Sequence, residues 1–107
     1  MLLWIIGCDL HTRYQQVAAM NKETGEVGAR RRCGRLFYAA LPKGSLVGIE
    51  SIGYTQWFER LLTELGHELW IGDAAEIRAA RVRHQKTDIR DARLILQLLG
   101  DQRFPRL

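Results

Sequence analysis

Four acidic residues stand where the surrounding pattern would place apolar or neutral ones: Asp9, Glu50, Asp88 and Asp91. Asp9 closes the apolar run Leu2-Leu3-Trp4-Ile5-Ile6-Gly7-Cys8, and Glu50 closes the shorter run Val47-Gly48-Ile49. Asp88 and Asp91 precede Ile95 and Leu98 at the spacing i, i+3, i+7, i+10, so one helix face carries two carboxylates and then apolar side chains. Carboxylates at the ends of core elements are costly unless a positive charge gathers them, and a divalent cation does so through the oxygen ligands it prefers. Without metal, four clustered carboxylates repel one another and some stay protonated. With two divalent ions about 3.5–4 Å apart, the same cluster can polarise a phosphate and stabilise the attacking and leaving oxygens. The pattern therefore points to metal-dependent phosphate chemistry with two Mg²⁺ ions, for which Mn²⁺ would substitute. Helix-dipole and capping chemistry, at ~0.3–1 kcal/mol per exposed acid, is the rival account of the helical pair. It explains one aspartate well and the second, on the core-facing side, less well.

Elements able to position these acids can be read along the chain. Residues 2–8 form a near-continuous apolar run, as expected of a strand buried on both faces. Residues 14–20 and 26–31 predict two further strands around the turn Asn21-Lys22-Glu23-Thr24-Gly25, with Gly25 supplying positive φ, giving an antiparallel three-strand meander. A short helix is expected over 36–41, a break at Pro42-Lys43-Gly44 and a buried strand over 46–50. Trp57, Leu61, Leu62 and Leu65 fall near helical spacing, which predicts a helix over 55–65 stopped by Gly66. A strand over 67–71 follows, then a helix from the cap Asp73, with Glu76 three residues on, to about Val82. A last helix spans 87–99, and Pro105 marks a tail. The order predicts an α/β domain whose mixed sheet has a hairpin-joined half and a parallel half.

The chain has 107 residues, enough for one domain, with 47% hydrophobic and 26% charged residues, which disfavours disorder. Its apolar runs are far shorter than the ~20 residues of a membrane span. The first six residues lack a basic region and a cleavage site, so they read as a strand and not as a signal peptide. Cys8 and Cys33 lack metal-ligand spacing and are expected to be reduced and structural. A formal net charge of +4 favours a polyanionic partner without specifying one.

Three strings carry a resemblance: Gly7-Cys8-Asp9-Leu10-His11, Gly48-Ile49-Glu50-Ser51-Ile52-Gly53 and Lys86-Thr87-Asp88-Ile89-Arg90-Asp91-Ala92. They resemble the three acidic motifs of the DEDD-type, RuvC-like transposases of bacterial insertion sequences, RNase H-like enzymes associated with bridge-RNA-guided recombination. Gly66-His67-Glu68 also fits, the resemblance spans nearly the whole chain, and Lys-Thr-Asp-x-x-Asp-Ala is its most specific part. It implies an RNase H-like sheet in which Asp9, Glu50, Asp88 and Asp91 ligate two Mg²⁺ ions and act on DNA phosphodiesters. It further implies a C-terminal domain contributing a nucleophilic serine, so that complete strand exchange is expected to need more than these 107 residues. A guide (bridge) RNA, homo-oligomerisation and a bacterial cytoplasmic setting are implied in the same way. Two departures stand out: Gly72-Asp73-Ala74 replaces a proline usual after that strand, and the segment before the Glu50 strand is longer.

Other residues have rival readings. Arg78, Arg81, Arg83 and Lys86 suit backbone-phosphate contacts beside the acids or, equally, a solvated face, with Lys86 favoured because it lies in the matching motif. Arg30, Arg31, Arg32 and Arg35 read more as a solvated edge than as a nucleic-acid contact. Trp4, Trp57 and Trp70 fit core patterns, Tyr54 fits helix packing and His11 a turn; His67 and His84 lack ligand spacing. Three rival functions remain at this point: a stand-alone RuvC-like junction nuclease using a metal-bound water, a sugar-kinase or actin-like ATPase, and a non-catalytic nucleic-acid-binding or assembly module. The ATPase reading requires glycine-rich phosphate loops and a second domain, neither of which is visible.

Overall fold

The inner strands of a five-stranded sheet send apolar side chains to both of its faces, and helices cover both. In the computed structural model the described residues are 4–10, 15–25, 27–32, 35–53, 55–80 and 88–107. The elements are β1 (Trp4–Leu10), β2 (Gln15–Asn21), β3 (Val27–Arg32), α1 (Arg35–Ala40), β4 (Leu46–Glu50), α2 (Gln56–Glu64), β5 (Glu68–Gly72), α3 (Ala74–Ala79) and α4 (Asp88–Gly100). The sheet order is β3-β2-β1-β4-β5. Strand β1 pairs antiparallel with β2, and β2 antiparallel with β3. On the other side β1 pairs parallel with β4, and β4 with β5. The fold is thus α/β with a mixed sheet flanked by helices. Its radius of gyration, 12.7 Å, is that of a single packed domain of this length.

The two faces follow from the period of two along each strand. Ile6, Cys8 and Leu10 of β1 join Val47 and Ile49 of β4 on one face, against Tyr38 of α1 and Phe58 and Leu62 of α2. Ile5 and Ala18 lie on the other, against Ile77 of α3 and Ala92, Ile95, Leu96, Leu98 and Leu99 of α4. The β2–β3 turn has Gly25 at φ +75°, with the Asn21 side chain accepting from the Glu23 amide at 2.9 Å. Asp73 caps α3 by accepting from the amides of Ala75 at 2.8 Å and Glu76 at 3.3 Å. Among the described residues no helix is long and apolar enough to cross a membrane.

Three expectations are corrected. Asp9 does not follow its strand but lies within it, because the antiparallel ladder with β2 extends through Asp9–Gln16 and Leu10–Gln15. Glu50, by contrast, ends β4 where the sequence places it, in the ladder opposite Gly72. In α2 the buried stripe is Phe58 and Leu62, while Trp57 is 43% exposed. Two adjacent apolar pairs, 57/61 and 58/62, offered the same helical period, and packing against β1 and β4 selects the second. Residues beyond Gly100 are no loose tail either. The Asp73 amide donates to the Pro105 carbonyl at 2.8 Å, the Leu107 amide to Ile71 at 2.9 Å, and the Arg106 guanidinium stacks 4.6 Å from the Trp70 ring centroid.

Candidate functional site

The β1–β4 register pairs Gly7 with Gly48 and Cys8 with Ile49. Asp9 and Glu50 are the next residue on each strand, and both are half-buried. By strand alternation they share the face of Gly7 and Gly48, which is the face covered by α4. Neighbouring strands lie about 4.8 Å apart, so two carboxylates issue side by side from adjacent backbones.

Helix α4 crosses these strands at their glycines. A β-carbon on Gly7 would overlap the Ala92 carbonyl oxygen and the Leu96 amide nitrogen, and one on Gly48 would sit 2.7 Å from Leu99 Cδ1. At its far end, Gly100 lies against Met20, whose register partner is Ile5 near the start of β1. The helix therefore runs back along β1, and its first turn lies toward the Asp9 end of the strand. Four residues of helix before Ala92 rise about 6 Å, and two residues of strand beyond Gly7 advance about 6.6 Å. The backbone of Asp88 and the region of Asp9 thus keep pace. Four residues separate Asp88 from Ala92 and Asp91 from Ile95, and both Ala92 and Ile95 are buried. The side chains of Asp88 and Asp91 lie outside the described residues, as do Arg81, Arg83 and Lys86. Arg78 is exposed on the last turn of α3. Among the described residues no group of three or more His, Cys, Asp or Glu is placed to hold a metal ion. The described half of the proposed ligand set is the pair Asp9 and Glu50.

Behind this pair, on the opposite face, lies a buried polar line. The Tyr38 hydroxyl donates to Cys8 Sγ at 3.4 Å, and His67 Nε2 lies 2.7 Å from the Tyr38 carbonyl, to which it donates. His67 Nδ1 is buried and finds no hydrogen-bond partner among the described residues. Burial pushes the Cys8 thiol up to about 12; the Tyr38 hydrogen bond opposes this, and the charge of Asp9 adds to it. Tyr38 is also raised well above its ordinary value, first by burial and then by Cys8. Cys8 is therefore held as a buried thiol at neutral pH. Cys33, His11, His84 and Tyr54 lie outside the described residues.

The raised Cys8 pKa has a definite sign in stability. Above pH ~8.5 the unfolded chain releases the Cys8 proton while the native chain keeps it, so the native state loses ground as pH rises. Stability should be level up to about pH 8.5 and then fall, by up to about 1.4 kcal/mol per pH unit for this group. In denaturant titrations between pH 9 and 10, Cys8→Ala should flatten that decline; a wild-type curve already level over this interval would refute the assignment.

Trp57, which fits a core pattern in the sequence, is instead exposed on the first turn of α2. Comparison with protein families, curated proteins and solved structures finds no match for this chain.

Proposed function

We propose that the chain is the RNase H-like catalytic domain of a DEDD-type insertion-sequence transposase or recombinase, acting on DNA phosphodiesters. The observation that carries this reading is the placement of Asp9 and Glu50 one residue beyond the Cys8–Ile49 pair, under a helix that begins with Asp88 and Asp91. An α/β fold with a mixed sheet flanked by helices, carrying Asp9 and Glu50 on adjacent parallel strands, supports this reading. Asp9, Glu50, Asp88 and Asp91 would hold two Mg²⁺ ions, which supply charge neutralisation to the attacking and leaving oxygens of a displaced phosphodiester.

The protein's own part is geometric. Strand pairing holds the backbones of Asp9 and Glu50 side by side, and the close seat of α4 on Gly7 and Gly48 supports a site that the start of that helix, with Asp88 and Asp91, would complete. Donors held on regular elements keep their spacing better than donors on loops. Lys86, Arg83, Arg81 and Arg78 would contact backbone phosphates, and a bridge RNA and a second copy of the complete enzyme would join the DNA complex.

A DNA-cleavage assay separates this reading from its nearest rival. Incubated with Mg²⁺, the chain should leave linear duplex intact and should not complete strand exchange on branched DNA, because the serine nucleophile is expected from another domain. Joined to such a serine-bearing domain it should cut, and Asp9→Asn or Glu50→Gln should reduce cutting at least about 100-fold. Cleavage of branched DNA by the chain alone would favour a junction nuclease. Unchanged cutting by both variants would remove the acids from the chemistry.

A further inference from the structure

Glu50 has a gap in the sheet on its outer flank. Its register partner in the β4–β5 ladder is Gly72, so the position beside it on that face carries no side chain. Asp9 stands on its inner flank, one strand away, and like charges on neighbouring strands push apart. With that gap open, the Glu50 carboxylate would lean away from Asp9 and over Gly72, the wrong direction for sharing a cation.

The gap is filled from beyond the sheet edge. A β-carbon on Gly72 would sit 2.6 Å from Phe104 Cζ and 2.8 Å from Ile77 Cδ1, so the tips of these two side chains occupy the place of the missing one. Phe104 belongs to the segment after α4, which runs antiparallel to β5. Its course is fixed by the Gly72–Arg106 bridge and by the backbone bonds from Asp73 to Pro105 and from Leu107 to Ile71. Standing two residues before Arg106, Phe104 falls on the Gly72 face, and Ile77 packs on that same face with α4. The ring also rests near Trp70, with centroids 6.3 Å apart. Neighbouring strands lie about 4.8 Å apart, which puts the ring tip roughly 5 Å from the root of the Glu50 side chain.

We propose that Phe104 is a positioning residue for the acid site: its ring, with Ile77, closes the space over Gly72 and holds the Glu50 carboxylate toward Asp9. The inference rests on the metal-binding reading given above. Such a wall acts in two ways. It keeps the two acids together before a cation arrives, so less side-chain freedom is lost on binding. It also excludes water from the outer side of Glu50, which strengthens the attraction of that carboxylate for a cation. Cation affinity then depends on an apolar side chain that touches no cation.

The test is a titration of the 107-residue chain with Mn²⁺, with the free ion read by electron paramagnetic resonance. Phe104→Ala should weaken Mn²⁺ binding about tenfold, the lower end of what loss of a supporting residue does to a metal site. Phe104→Leu keeps part of the wall and should fall between; if Phe104→Ala is too unstable to titrate, it carries the same comparison. Adding Gly72→Ala to Phe104→Ala puts a methyl group where the ring tip was and should recover part of the affinity. Urea midpoints without metal give a second readout. Glu50→Gln should stabilise the wild type more than it stabilises Phe104→Ala, where the carboxylate has already moved off Asp9. A ring that only packs would lower the midpoint, leave the Mn²⁺ affinity unchanged and give additive effects. That result would overturn the proposal while the metal site stands. A wild type that takes up no more Mn²⁺ than Asp9→Asn would overturn the metal reading itself, and this inference with it.

Discussion

Millimolar Mg²⁺ or Mn²⁺ should raise the thermal midpoint of the wild-type chain, and Asp9→Asn, Glu50→Gln or Asp88→Asn should abolish most of that rise. The effect follows from linkage: a ligand that binds only the native state stabilises it by about 2.7 kcal/mol at a hundredfold excess over Kd. For a domain near 100 residues this corresponds to a shift of about 10 °C or more. The metal-free state should respond in the opposite direction. Asp9 and Glu50 issue from adjacent residues on neighbouring strands, so their charges oppose each other at a separation near the strand spacing. At about 5 Å this repulsion is worth ~1–3 kcal/mol between surface and part-buried limits, and partial exposure places it toward the lower end. Neutralising either residue should therefore leave the apo protein as stable as the wild type or more so. The two signs together are diagnostic: a substitution that merely damages the fold lowers both midpoints. A wild type indifferent to both ions, or variants that gain as much as the wild type does, would remove the metal site from these acids.

How much of this could be read from the chain depends on which residues are asked. The strands announce themselves through Ile5-Ile6 and Val47-Gly48-Ile49, and the acids through their position after those runs. The first strand, expected to end at Cys8, runs on through Asp9 and Leu10, since pairing with Gln16 and Gln15 prolongs it. Hydropathy cannot register that, because the extending hydrogen bonds belong to the backbone. Trp57 was misplaced for a different reason: a helix with apolar residues at 57, 58, 61 and 62 has two overlapping stripes, and only the shape of the sheet surface chooses between them. The Phe104–Leu107 segment was legible only as an ending, yet it bridges to Gly72 and places Arg106 on Trp70. What the sequence did carry, and what was passed over, is a glycine in the middle of each central strand. Gly7 and Gly48 interrupt otherwise apolar runs, and an interior strand glycine is a signal of close backbone approach.

That signal leads to the largest expected loss of stability from one methyl group. At Gly7 a β-carbon would collide with the Ala92 carbonyl oxygen and the Leu96 amide nitrogen, both backbone atoms inside α4. A side chain can rotate away from such a collision, but a helix backbone must move as a body and take Ile95, Leu96 and Leu99 off the sheet with it. Overpacking a core ordinarily costs about 1–3 kcal/mol, and Gly7→Ala should reach or exceed the upper figure because no flexible atom can yield. Gly48→Ala meets the Leu99 side chain, with Cδ1 at 2.7 Å, and a rotamer change there should hold the cost to about 1–2 kcal/mol. Gly28→Ala meets nothing within 4 Å and should be neutral or slightly stabilising, by up to about 1 kcal/mol. Urea midpoints of the three variants give the ranking directly, and a Gly7→Ala protein as stable as Gly28→Ala would refute this packing. The same substitution bears on function. If α4 is lifted from Gly7, the turn that begins with Asp88 is carried away from Asp9 and Glu50, although all four carboxylates are still present. Under conditions where Gly7→Ala remains folded, its response to Mg²⁺ should therefore fall along with its stability, whereas Gly48→Ala should keep more of both. Metal binding would then depend on the fit of two backbones as much as on the acids themselves.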